Sequence, residues 1–357
     1  MKYVSTRGSA PVTGFEGALV AGLADDGGVY IPQSWPHLSA DELRALRGRP
    51  YGDVAHAVIA PFVGGEIPED TLRGMIDEAY AAFAHRAVTP LKQLDANQWL
   101  LELFHGPTLA FKDVAMQLLS RMMDWALEKR GERATIIGAT SGDTGSAAIE
   151  AFRSSSRCEI FILHPHGRVS DVQRRQMTTV AQPNAHAVAV DGTFDDCQDL
   201  VKAMFNDAEF RVRNNLSAVN SINWARVMAQ TVYYVTAAET FAEPITVSVP
   251  TGNFGNVLAG WIAREMGAPI RDFVVASNTN DILTRFVNDA DMSTRAVVPT
   301  LSPSMDIQVS SNFERLLFEM NGRDGGLTSE QLGRFRSTGR LDLEPDQRRE
   351  FIEGQFR

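Results

Sequence analysis

From Trp99 onward the chain repeats one pattern: a short apolar run rich in β-branched residues, then a longer stretch with helical periodicity. Residues 100–104 read as a strand and 109–129 as a helix, then 134–137 as a strand and 144–153 as a helix. Further short strands are expected at 159–163, 186–190, 217–220, 245–249 and 273–276. Such alternation can close a core in few ways, and the expected class is α/β, a largely parallel sheet with helices on both faces. In sheets of that kind ligands bind beyond the carboxyl ends of strands, where loops enter helices. The residues that carry chemistry are therefore to be sought in strand-to-helix loops.

Ahead of this region, residues 1–90 read as a mostly helical section. It holds a short helix near 14–23, a D-D-G-G turn at Asp25 to Gly28, a brief V-Y-I-P strand, and helical patterns near 40–47, 52–61 and 68–85. Pro90 marks the expected boundary with a core running over 91–357. No internal repeat or low-complexity tract interrupts the chain.

Bulk properties exclude several classes. The net charge is -10 and the pI about 5.3, which leaves no basic surface for nucleic acid or an anionic membrane. No apolar run approaches the roughly 20 residues that span a bilayer, and the first residues lack the apolar stretch of a secretory signal. Cys158 and Cys197 are the only cysteines and are not in C-x-x-C spacing, so both read as small core residues in a reducing compartment. Among seven histidines none shows metal-ligand spacing, and His164 and His166, flanking Pro165, read as loop. A soluble, cytoplasmic protein with no metal is expected.

One residue stands out by its type. Of 34 basic residues only five are lysine, and one of these, Lys112, lies in H-G-P-T-L-A-F-K-D-V-A, residues 105–115. Phe111, Val114, Ala115, Leu118, Leu119, Met122 and Trp125 recur at helical spacing, so a helix begins near Ala110 and Lys112 falls in its first turn. The positive end of a helix disfavours an ammonium, and burial acts the same way. A neutral amine there is a nucleophile able to condense with a carbonyl, which arginine is not. Pyridoxal phosphate is the commonest carbonyl cofactor of that kind. The bland alternative pairs Lys112 with Asp113 or runs its side chain out to solvent.

Two loops are rich in glycine and small polar residues. P-T-G-N-F-G-N, residues 250–256, follows a compact β-branched strand and precedes a helix. The backbone N–H groups of Gly252, Asn253, Phe254, Gly255 and Asn256 could cup a phosphate dianion, unless the turn is a plain connector. G-A-T-S-G-D-T-G, residues 138–145, places Ser141, Gly142, Asp143 and Thr144 at the mouth of another helix, suited to a carboxylate; Asp143 could equally be a simple N-cap. Neither loop is G-x-G-x-x-G or carries G-K-[ST], so dinucleotide and nucleoside-triphosphate signatures are missing. In N-S-I-N-W-A-R-V, residues 220–227, Asn223 and Arg226 could hold an anionic part of a substrate, or be an ordinary cap and a surface arginine.

Seven strings in order resemble the threonine synthase family of the bacterial and fungal type: Y-V-S-T-R-G (3–8), H-G-P-T-L-A-F-K-D (105–113), A-T-S-G-D-T-G (139–145), N-S-I-N-W-A-R (220–226), P-T-G-N-F-G-N, A-S-N-T-N-D-I-L (276–283) and S-P-S-M-D-I-Q-V-S-S-N-F-E-R (302–315). The resemblance implies a fold-type-II, tryptophan-synthase-β-like core of two lobes, the smaller over about 110–215. It implies pyridoxal 5'-phosphate as cofactor and conversion of O-phospho-L-homoserine and water to L-threonine and phosphate. Lys112 would bind the cofactor covalently and carry protons, with Phe111, Asp143 and Gly252 to Asn256 as further cofactor contacts. Ser141, Gly142 and Thr144 would meet the substrate; the placing of Asn223 and Arg226 on its phosphate is not part of the resemblance and is expected from their residue types alone. Relatives of this type imply a monomer or weak homodimer.

The family also continues past the point where this chain stops, with segments resembling D-P-H-T-A-V-G and T-A-H-P-A-K-F that are not found here. The chain therefore reads as carboxyl-terminally incomplete, ending in a charged, helix-like stretch with no finishing strand. Three other readings stand beside this one: another fold-type-II lyase such as a threonine or serine dehydratase, a non-catalytic cofactor-binding remnant, and, weakly, a nicotinamide oxidoreductase.

Overall fold

The computed structural model describes residues 1–341, 343 and 351–357. The first section pairs β1 (Tyr3–Ser5) antiparallel with β2 (Tyr30–Pro32), on either side of α1 (Phe15–Ala21), and continues through α2 (Ala40–Leu46), α3 (Tyr51–Val63) and α4 (Glu69–Ala81). Ser39 starts α2 with a capping box to Glu42, while Pro50 and Pro68 precede α3 and α4. Strand β1 goes unnoticed in the sequence because three residues carry too little periodicity. The expected strand at 100–104 is instead an antiparallel hairpin, β3 (Leu91–Asp95) and β4 (Gln98–Leu101), closed by Ala96 and Asn97. Its two strands are mostly exposed on both faces, so no apolar alternation marks them.

The α/β part begins with α5 (Lys112–Arg130), β5 (Ala134–Ala139), α6 (Asp143–Phe152), β6 (Cys158–Pro165), α7 (Asp171–Thr178), β7 (Ala185–Val190), α8 (Phe194–Asn206), α9 (Ala208–Arg213) and β8 (Leu216–Ser217). The four strands make one parallel sheet in the order β7-β6-β5-β8. Strand β8 is two residues long where four were expected, because the chain leaves the sheet at Ala218 to enter the helix that follows. His164 is buried inside β6, not in a loop; His166 lies just beyond it, exposed. Cys158 and Cys197 are buried, and burial pushes the Cys158 thiol up to about 12.

A second layer holds α10 (Trp224–Ala238), β9 (Ile245–Pro250), α11 (Gly255–Glu265), β10 (Ile270–Ala276), α12 (Ile282–Asp289), β11 (Met292–Ser293), a 3-10 turn over Pro303–Met305, α13 (Phe313–Met320), α14 (Gly325–Thr338) and β12 (Arg340–Leu341). Strands β9 and β10 are parallel, and the last residues extend this pair. Phe273 N–H donates to Gln355 O at 2.8 Å and Val275 N–H to Arg357 O at 2.7 Å, which makes an isolated parallel bridge at Phe356 and not a further strand. Most of the charged stretch before it lies outside the described residues. No helix among those described is long and apolar enough to cross a membrane.

Helix α10 is the spine of the molecule. Every residue in it except Thr236 is buried, including Arg226, Gln230, Tyr233 and Tyr234. It packs against α3, α5 and α11, which ties the amino-terminal section to both sheets. A helix surrounded in this way has no polar face to spare, so its polar side chains must be satisfied inside or face a cavity.

Candidate active site

The carboxyl ends of β5 and β9, the start of α5 and the start of α10 face one cleft of about 1930 Å³. Phe111, Lys112, Ser141, Asp143, Thr144, Arg226 and the whole loop Gly252 to Asn256 line it. The loop that strand-helix alternation singles out and the odd lysine are thus in the same space.

Lys112 is the first residue of α5 and is 8% exposed. The segment before it is fastened by the neighbouring carboxylate: Asp113 accepts from Thr108 N–H at 2.8 Å and from Thr108 Oγ1 at 2.7 Å, which closes the turn from Gly106. That leaves Asp113 unavailable, and Lys112 Nζ donates instead to Asp143 Oδ2 at 3.0 Å, lying 4.6 Å from the centre of the Phe111 ring. Burial lowers the ammonium pKa from 10.5; Asp143 opposes this, and the Arg226 guanidinium works in the same direction as burial.

Asp143 is the first residue of α6, after Gly142, and is not the N-cap. Burial pushes its carboxyl up, but Lys112, Ser304 and Gln173 outweigh it and hold the group below the usual range. Ser304 Oγ donates to Asp143 Oδ2 at 2.6 Å and Gln173 Nε2 donates to Oδ1. The carboxylate therefore stays charged while the amine it orients is easier to deprotonate than an exposed lysine. Gly142 has φ 143°, and a Cβ there would come 2.0 Å from Gln173 Oε1, so only glycine brings α7 this close. Thr140 Oγ1 accepts from the N–H groups of Gly142 and Gly145, both at 2.9 Å, fixing the loop from inside.

The second loop leaves β9, is held by Asn312 N–H on Asn253 O at 3.0 Å, and enters α11 through Phe254 at φ 62°. A buried phenylalanine in the left-handed region costs on the order of 1–3 kcal/mol, held here by packing against Phe313 and Phe356. The backbone N–H groups of Gly252, Asn253, Phe254, Gly255 and Asn256 take no partner among the described residues. A Cβ on Gly252 would lie 3.0 Å from Ile307 Cδ1 and 3.2 Å from Met305 Cα, so the turn is as tight as glycine permits. Unpaired donors converging at a helix start form an anion cup with no basic side chain in it.

Arg226 supplies the cation. It is 4% exposed, donates from Nη1 to Val219 O at 3.3 Å, and has no partner for Nε. No carboxylate among the described residues pairs with it. Burial pulls its pKa down to about 10, with only the Tyr233 phenol acting the other way. A buried arginine left without an anion at a cleft wall has the charge and donors to hold one supplied from outside. Asn223, grouped with it on sequence, stands apart: its Oδ1 caps α10 through Ala225 N–H at 3.1 Å and its Nδ2 donates to Leu19 O at 2.9 Å. It does not line the cleft, because both of its polar atoms are committed to the fold. Gly142 likewise shapes the loop from behind the cleft surface.

Residues 2–80 match the family of the threonine synthase N terminus and residues 83–332 the family of pyridoxal-phosphate dependent enzymes. The chain is 54% identical over 351 residues to the threonine synthase of Pseudomonas aeruginosa, covering 98% of this chain and 75% of that one. The chain belongs to the threonine synthase family. Its structure superposes on the PLP-bound threonine synthase from Brucella melitensis with a TM-score of 0.97 at 56% identity, over 100% of this chain and 77% of that chain. With the yeast threonine synthase the TM-score is 0.94 at 39% identity, over 100% of this chain and 75% of that chain. This chain thus spans about three quarters of the length of these threonine synthases.

Within this threonine synthase family member, several site residues carry no local signal. Ser304 and Gln173 reach Asp143 from 161 and 30 residues away; Gln173 lies in no string singled out in the sequence, and Ser304 lies in S-P-S-M-D-I-Q, which carries the resemblance but gives it no role. Asn312 and Arg315 are the hub that ties the loop at Asn253 to the segment at Ser221 and Ile222 before α10. Arg315, fully buried, donates to Tyr30 O at 2.9 Å, to Ile222 O at 2.6 Å and to Asn312 Oδ1; Asn312 Nδ2 in turn donates to Ser221 O at 3.0 Å. Glu314 beside them accepts from Thr6 at 2.7 Å and from both Nε and Nη2 of Arg7 at 3.1 Å. The strings Y-V-S-T-R-G and S-S-N-F-E-R, which the resemblance flags without roles, are thus the two halves of one joint.

Proposed function

We propose that this chain is a pyridoxal-phosphate-dependent threonine synthase, a carbon–oxygen lyase converting O-phospho-L-homoserine and water to L-threonine and phosphate. The observation that carries the reading is one cleft holding a buried, orientable amine, a cup of unpaired N–H groups and an unpaired arginine. Pyridoxal phosphate fits these residues: an aldehyde meets the Lys112 amine and its phosphate meets Gly252 to Asn256. When bound, the cofactor's ring serves as an electron sink for charge developing at the substrate's α- and β-carbons.

The remaining work falls to side chains of this protein. Asp143 holds Lys112 Nζ in place, and that nitrogen, with its lowered pKa, takes and returns protons at the substrate carbons. Ser141 and Thr144, at the start of α6, take the substrate carboxylate. Arg226 takes the substrate phosphate and stays charged as it leaves, since even at about 10 its pKa lies well above neutrality. Phe111 covers Lys112 on one side and limits water. A soluble, cytoplasmic setting agrees with the acidic composition and the two buried cysteines.

The test is phosphate release and threonine formation from O-phospho-L-homoserine, run beside ammonia release from serine. Borohydride treatment of the cofactor-loaded protein followed by peptide mapping is expected to fix the label on Lys112. Ammonia from serine without phosphate release from O-phosphohomoserine would favour a dehydratase. A colourless protein that takes up no added cofactor would leave only a remnant.

A further inference from the structure

The last residue of the cup is held by two phenols. Asn256 Oδ1 accepts from Tyr233 OH at 2.6 Å and from Tyr234 OH at 2.7 Å. The two tyrosines are adjacent on α10, both 2% exposed or less, with ring centres 4.9 Å apart. An amide oxygen has two lone pairs, and these two donors saturate it.

The arrangement also decides which way the amide faces. Tyr233 OH has a second neighbour in Gln230 Oε1 at 3.1 Å, but Tyr234 OH reaches no acceptor except Asn256 among the described residues. Turning the amide over would strand a buried phenolic proton at a cost of about 1–3 kcal/mol. With Oδ1 engaged, Nδ2 makes no bond among the described residues, and Asn256 is half-buried at the cleft wall. Its two N–H bonds therefore have no partner among the described residues, on a residue that lines the same cleft as Gly252 to Gly255.

The packing is built around the second ring. Gly260 lies one turn beyond Asn256 on α11, and a Cβ there would come 2.8 Å from Cε1 and Cζ of Tyr234 and 2.6 Å from Phe273 Cε1. Glycine inside a helix costs about 1 kcal/mol relative to alanine. Here its absence of a side chain is what admits the ring that holds Asn256.

We propose that Tyr233 and Tyr234 are positioning residues for the cofactor's phosphate, turning the Asn256 amide so that its NH₂ group joins the backbone N–H groups of the cup. This deepens the proposed function and rests on reading Gly252 to Asn256 as the phosphate cup. It also accounts for a dianion site without a basic side chain: neutral donors are added by orientation. Burial raises both phenol pKa values, so the clamp stays protonated through the working range of pH.

The test is equilibrium titration of the cofactor-free protein with pyridoxal 5'-phosphate and, separately, with pyridoxal, which lacks the phosphate. Both share the link to Lys112, so the ratio of their dissociation constants isolates the cup. Tyr234→Phe, Tyr233→Phe/Tyr234→Phe, Asn256→Ala and Gly260→Ala are compared with the parent, with melting temperature confirming that each is folded. The double tyrosine variant is expected to lose about tenfold of the preference for the phosphorylated ligand. Adding Asn256→Ala to it should cost little more, since the three groups act as a unit. A double variant that keeps the parent's preference while Asn256→Ala loses it overturns the tyrosine role alone. A parent protein that binds both ligands equally overturns the cup itself and the tyrosine role with it. Should the double variant not fold, Tyr234→Phe reads the same ratio and decides the same question.

Discussion

Replacing Arg226 by methionine separates binding from stability in a way few substitutions can. The guanidinium is 4% exposed, meets no carboxylate among the described residues, and has its pKa pulled from 12.5 to about 10. As a cation it is therefore destabilised by roughly 3 kcal/mol in the ligand-free fold. Methionine fills similar volume without the charge, and the one side-chain hydrogen bond lost among the described residues is the 3.3 Å contact to Val219 O, worth about 1 kcal/mol. Arg226→Met is thus expected to raise the melting temperature of the ligand-free protein by about 2–4 °C. On the proposed assignment of Arg226 to the substrate phosphate, the same change should lower kcat/KM by about 100- to 1000-fold or more. Inorganic phosphate, which should stabilise the parent by binding this arginine, should leave the variant's melting temperature unmoved. Differential scanning fluorimetry with and without phosphate, alongside a phosphate-release assay, reads all three. A variant that melts below the parent and retains kcat/KM within about threefold would refute the reasoning, because the arginine would then be a structural group.

Three further outcomes follow from the same geometry. Asp143 raises the Lys112 pKa, so Asp143→Asn should move the pH midpoint of Lys112 modification in cofactor-free protein further below 10.5, measured by mass spectrometry against pH; an upward move contradicts the assignment. Because the folded Lys112 pKa lies below its unfolded value, the folded state binds fewer protons across that interval; parent stability relative to Lys112→Met should rise as pH climbs toward 10.5, followed by urea unfolding. Gly142→Ala places a Cβ against Gln173 at φ 143°, and should cost about 1–3 kcal/mol in unfolding free energy while lowering kcat, since it pushes away a donor to Asp143.

Much of the fold was legible because its signals are local. The strand-helix alternation, the start of α5 at Lys112, and the glycine loops all rest on periodicity or on residues that only a turn accepts, which neighbouring residues reveal. Where the reading failed, local signal was weak or ambiguous. The β3–β4 hairpin is mostly exposed on both faces and shows no alternation, and the short β8 is set by where the chain must depart.

By itself the sequence determined that an amine begins a buried helix and that two small-residue loops follow strands, since both are statements about adjacent residues. Only the tertiary structure decided that Lys112 pairs with Asp143 and not with its neighbour Asp113, that Asn223 is spent on capping, and that Arg226 meets no counter-ion among the described residues. It alone brought Ser304 across 161 residues to Asp143 and two tyrosines to Asn256. Which charges are paired depends on what else is buried beside them, and burial is a property of the whole packed chain.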